Sequence, residues 1–149
     1  MSTSILRITP SNPLFIPPEN ARSSALNYLK TRFRKGKQIE ERISEKIIFI
    51  DQGHNISEPS CPLCSSVLEI EWFAETVDSS YKEDFVNLDY PSPCCKKLIN
   101  LNELLWEFPC AFGKYYLEVW DIERMLSEHE IKVLKAKLAS SLKIIIARV

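Results

Sequence analysis

The chain has 149 residues, 45% of them hydrophobic, and a net charge of −1 at neutral pH. This suits a single domain spanning 1–149, and the near-zero charge gives no global attraction to nucleic acid or to an anionic membrane. No run of about 18 apolar residues offers a membrane-spanning helix, and the first ten residues lack the basic-then-apolar order of a secretory signal, so a cytoplasmic protein with reduced thiols is expected.

Ser4 to Ile16 reads as extended, punctuated by Pro10 and Pro13. Pro17-Pro18 opens a helix, because proline fits a first turn. Ala25, Leu26, Leu29 and Phe33 follow at helical spacing, and Gly36 is a natural stop. Two short strands are expected next, a weakly patterned Ile39–Ile43 and a β-branched, apolar Lys46–Asp51. Val67, Leu68 and Ile70 suggest another short strand. Phe73, Val77 and Tyr81 suggest a helix, Asn87 to Pro93 an extended approach, and Leu98 to Trp106 a short helix capped near Asn100. Lys114–Asp121 alternates like a strand. Ser127-Glu-His-Glu130 is a capping box that starts a helix with Ile131, Leu134 and Leu138 on one face, and Leu142–Val149 closes the chain as a strand.

A strand–helix–strand unit thus stands on each side of a middle segment of about 53–113. The expected class is α+β: two such units sharing one antiparallel sheet, as in a split β-α-β plait, with the middle as a zinc-ribbon-like insert.

The insert holds four of the five cysteines, in the pairs Cys61-Pro-Leu-Cys64 and Cys94-Cys95. Four thiolates brought together make a closed tetrahedral shell for structural Zn²⁺. The contiguous second pair is the difficulty. Successive side chains of an extended strand point to opposite faces, so both reach one metal only if the backbone turns sharply. Otherwise one of them binds and His54 supplies the fourth ligand. A thioredoxin-like redox pair should follow a strand and open a helix, whereas here a loop precedes Cys61 and an apolar run follows Cys64. A catalytic zinc needs an open position, which four thiolates would fill. Cys110, among Phe108, Pro109, Ala111 and Phe112, reads as a small core hydrophobe.

The order Phe49-Ile-Asp51-x-Gly53-x-Asn55, Cys61-Pro-x-Cys64, Trp72, Pro93-Cys94-Cys95, Leu101-Asn102-Glu103-Leu104 and Phe108-Pro109-x-x-Phe112 resembles a family of small, uncharacterised bacterial cytosolic proteins. The resemblance covers roughly residues 45 to 120. Members of that family carry glycine after each cysteine pair and Asn-Asp where this chain has Asn102-Glu103. Ser65 and Lys96 depart from that pattern. The resemblance implies a zinc-stabilised fold and no particular reaction.

Catalytic signatures are sparse: two histidines, three glycines, no nucleophile elbow and no phosphate loop. Asp51, His54 and Asn55 read as a turn rather than a site. Arg22 to Lys37 carries six basic residues and no acid, which is a solvated helix face or, in the alternative reading, the contact surface of a zinc-ribbon nucleic-acid binder. Glu69 to Asp89 carries seven acids against Lys82 alone. That asymmetry points to a basic protein partner, as for an immunity or antitoxin-like adaptor. Tyr116 and Trp120 would add anchors if their sheet face were uncovered.

Overall fold

The computed structural model describes residues 2–149. Strand β1 (Ser4–Pro10) is followed by helix α1 (Glu19–Arg32) and strand β2 (Ile39–Ile50). The central part contains helix α2 (Ile70–Tyr81), the short strands β3 (Asp89–Pro91) and β4 (Leu98–Asn100), and a 3₁₀ turn at Leu101–Glu103. Strand β5 (Ala111–Trp120), helix α3 (Glu128–Leu138) and strand β6 (Leu142–Arg148) complete the chain.

The main sheet has the order β2-β5-β1-β6 and every neighbouring pair is antiparallel. This is the split β-α-β arrangement: β5 lies between β1 and β2, and β1 lies between β5 and β6. The fold is therefore α+β, as the element order predicts. Alternation along β1 and β5 decides which face the helices take. Leu6, Ile8, Leu117 and Val119 form one core with Ala25 and Leu29 of α1 and Leu134 and Leu138 of α3. Glu118 points the other way and is buried, with Arg7 Nε at 3.1 Å and Arg42 Nε at 3.0 Å from its two oxygens.

Several local expectations are corrected. Ile39–Ile43 and Lys46–Asp51 are one strand, not two. Its register on β5 jumps between Ile43 and Ile48, so extra residues bulge out at Ser44–Ile47. Helix α1 ends at Arg32 with Phe33 extended, and Gly36 (φ 91°) serves the turn into β2 instead. Val67 makes a single bridge to Ser60 and Leu68 is buried, while Ile70 already belongs to α2. Leu98–Trp106 is not a helix. Leu98–Asn100 pairs with Asp89–Pro91, and only the 3₁₀ turn follows, with Asn100 as its cap through a bond from Asn102 N–H. The Ser127–Glu130 capping box forms as expected, with both reciprocal bonds made.

Beyond β2 the backbone reaches the free edge of β6. His54 N–H donates to Arg148 O at 2.7 Å, and Arg148 N–H donates to Gln52 O. Gly53 (φ 58°) makes this possible, since a Cβ there would lie 2.2 Å from the Arg148 carbonyl oxygen. Asp51 Oδ1 accepts from Gly53 N–H and Asn55 Nδ2 donates to Ile146 O, so the turn reading of this segment holds. Tyr116 and Trp120 are half-buried.

The insert has its own core, in which Phe73, Phe85, Leu88, Ile99, Leu101 and Leu104 surround Phe112 at the start of β5 and Ile47 in β2. Asn102 ties the insert to the sheet. Its Nδ2 donates to Ser11 O at 3.1 Å, its Oδ1 accepts from Phe112 N–H at 2.9 Å, and its carbonyl accepts from Lys143 Nζ.

Candidate metal centre

Two turns of one design carry the cysteines. The first starts at Ser60, which bridges both Val67 and Leu105. Within it, Ser65 N–H donates to Cys61 O at 2.9 Å and Cys61 N–H donates to Ser66 O at 2.8 Å. The second is the tip of the β3–β4 hairpin. There Lys96 N–H donates to Ser92 O at 3.1 Å and Ser92 N–H donates to Lys97 O at 2.9 Å. Each turn passes through one left-handed residue, Ser65 at φ 64° and Lys96 at φ 62°. Glycine is the residue with least resistance to that conformation, and neither turn has one.

The sharp turn solves the problem of the contiguous pair. The Sγ atoms of Cys61, Cys64, Cys94 and Cys95 all lie within 4.8 Å of one another. Cys64 and Cys94 are 3.4 Å apart and Cys61 and Cys95 are 4.0 Å apart. Thiolates around tetrahedral Zn²⁺ at ~2.3 Å stand roughly 3.8 Å from each other, which these separations bracket. The four sulfurs therefore can hold a metal ion, and the donor set is all thiol. Both Cys94 and Cys95 belong to the group and His54 does not. Cys110 stands apart, buried, its thiol pushed up to about 12 by desolvation.

The surroundings favour thiolates unevenly. The Ser66 hydroxyl, 3.3 Å from Cys64 Sγ, is the chief reason that thiol drops to about 6, followed by the Ser66 backbone and then Cys94. Cys95 is lowered by the Ser92 hydroxyl, 3.1 Å from its sulfur, and by the Lys97 backbone. Cys94 is raised: its contact with Ser92 favours the thiolate, but desolvation and the neighbouring thiols outweigh it. Cys61 is fully buried beneath the cluster, and Cys64 and Cys94 are exposed.

The charged segments differ in how they are used. Arg22 lies 3.8 Å from Glu41, Arg32 2.8 Å from Glu130, and Arg34 and Lys37 share Glu123 at 3.3 and 2.9 Å. Of the seven acids between Glu69 and Asp89, all are exposed, and among the described residues only Asp84 forms an ion pair, with Lys46 at 3.4 Å. Sequence reasoning missed this contrast because the basic residues' partners lie on distant elements.

Compared with protein-family models, curated proteins and solved structures, the chain matches none. Among the described residues no helix is long and apolar enough to cross a membrane.

Proposed function

We propose that this chain is a non-enzymatic, zinc-stabilised protein of the cytoplasm that acts by binding another protein. An immunity- or antitoxin-like adaptor for a basic partner is its concrete form. The observation that carries the reading is the all-thiol group itself. Four sulfurs at tetrahedral spacing fill the coordination shell of Zn²⁺ and leave no position for a reacting water, which is the condition of a structural site. Two further features support the partner. The acids of α2 and the loop after it are exposed and largely unpaired, so their field is available to a basic surface. Leu63, Val67, Leu98 and Leu105, on or beside the two cysteine turns, are each about half to two-thirds exposed (58%, 65%, 67% and 49%), and apolar side chains left in water around a rigid site favour protein contact. The alternative, nucleic-acid binding through Arg22–Lys37, loses ground because four of those six charges are engaged within the molecule.

Metal and thiol analysis of protein purified without added metal tests the first half. One equivalent of zinc, with the four clustered thiols unreactive until a chelator is added, is expected. Metal-free protein with a fast-reacting Cys61 or Cys64 would overturn it and favour thiol redox chemistry. For the second half, a co-purifying basic partner should be lost at high salt and on reversing Glu71, Glu75 and Asp78 to Lys. Retention of the partner under both conditions would exclude the acidic face.

A further inference from the structure

The two cysteine turns share one pattern of backbone bonds, and the register it sets is not the one the cysteines advertise. In the first, position one is Cys61, position two Pro62, position four Cys64 and position five the left-handed Ser65. The backbone bonds of the second turn set position one at Ser92, position two at Pro93, position four at Cys95 and position five at the left-handed Lys96. Burial follows the same correspondence, with Cys61 0% and Ser92 1% exposed. Cys95 is therefore the counterpart of Cys64, and the counterpart of Cys61 is a serine. The fourth thiol, Cys94, comes from position three, where the first turn has the exposed Leu63.

We infer that Ser92 occupies a vacant ligand seat of the metal centre, and that Cys94 supplies the missing thiolate from a neighbouring position, as the outermost and replaceable ligand. The inference rests on the metal reading above. Ser92 is a positioning residue in this arrangement. Its hydroxyl accepts from Cys95 N–H at 3.3 Å and lies 3.1 Å from Cys95 Sγ, so with the thiolate formed it can turn its proton to that sulfur. A hydroxyl–thiolate bond of this kind spreads charge off the metal-bound sulfur and fixes its direction. Cys94, by contrast, sits on the exposed rim beside Pro93, Val67 and Trp72.

The test moves the thiol between the two seats, with Co²⁺ as the probe because its thiolate charge-transfer bands report how many sulfurs bind. Wild type should give a four-thiolate spectrum. Cys94→Ser should lose charge-transfer intensity and hold Co²⁺ against a chelator more weakly, by at least the roughly 10- to 100-fold typical of a lost outer-shell partner. The double variant Ser92→Cys/Cys94→Ser should regain the wild-type spectrum and retention. A double variant no better than Cys94→Ser overturns the seat assignment while leaving the metal reading intact. A wild type that takes up no Co²⁺ overturns both. Ser92→Cys alone guards against a misfolded double variant. Loaded with Zn²⁺ and treated with iodoacetamide, it should expose one reactive cluster thiol, mapping to Cys94. Modification of the introduced thiol instead would sink the idea.

Discussion

Single residues set the local energetics of this molecule through two devices, unusual backbone and buried charge. Ser65 and Lys96 hold left-handed conformations that strain any side chain with a Cβ. Ser65→Gly and Lys96→Gly should each stabilise the metal-loaded protein by about 0.5–1 kcal/mol, the relief of strain less the entropy of glycine, read from urea midpoints. Glu130 is the second device. It caps α3 and receives Arg124 at 2.8 Å and Arg32 at 2.8 Å, with Arg124 the larger cause of a carboxyl held far below the ordinary range. A depressed folded-state value gives stability that is complete above the unfolded value of roughly 4.3 and is lost as pH falls through the folded one. Glu130→Gln should therefore flatten the acid limb of the stability–pH curve below about pH 4, while Glu130→Ala costs about 1–2 kcal/mol near neutrality, chiefly by removing the capping box, since the two guanidinium groups it releases are half-exposed and rehydrate. An unchanged acid limb in Glu130→Gln would contradict this. At this scale the sequence was partly legible. Ser127-x-x-Glu130 and the four cysteines announce themselves because their chemistry depends on spacing. Ser92 does not, because the adjacent Cys94-Cys95 draws attention to a pair, and only the backbone bonds set the register of the turn.

Elements were legible wherever period and length agreed, as in α1, α3, β5 and β6. They were misread where tertiary pairing overrode local pattern. Leu98–Asn100 has helical neighbours in sequence but a strand partner in Asp89–Pro91. The charged Ser44–Lys46 looks like a break and is a bulge inside one long strand. The junction between insert and sheet was invisible because its key member is an ordinary asparagine. The Asn102 side chain satisfies two backbone groups from separate places, Ser11 O and Phe112 N–H, and its own carbonyl accepts from the Lys143 ammonium, while the residue is only 4% exposed. Asn102→Ala leaves the Phe112 N–H buried without an acceptor and should cost about 2–3 kcal/mol. Amide exchange at Phe112 should accelerate more than at Leu117, which lies deeper in the helix-covered face. Equal acceleration at both would mean that Asn102 supports the whole sheet rather than the joint.

The whole molecule has two main cores on one backbone. The helix-covered core is built from β1, β5, α1 and α3, and the insert core gathers around Phe73 and Phe112 beside the cysteines. If the four thiols hold zinc, its removal should act on the second far more than the first, because a metal's binding free energy is folding free energy for the segment it organises. Chelation is expected to deprotect amides of residues 60–105 while Leu6, Ile8, Leu117 and Leu134 keep theirs, as read by hydrogen exchange. Uniform loss would show one cooperative unit. Protons compete with metal for thiolates, so lowering pH should have the same regional effect. The pairing of Ile50 with Ala111 has a further meaning. Strand β2 ends and β5 begins on that one rung, and the entropy of closing a loop grows only with the logarithm of its length. Topologically, the metal unit is the tip of a β2–β5 hairpin: a cassette that a tight turn could replace without re-threading any strand.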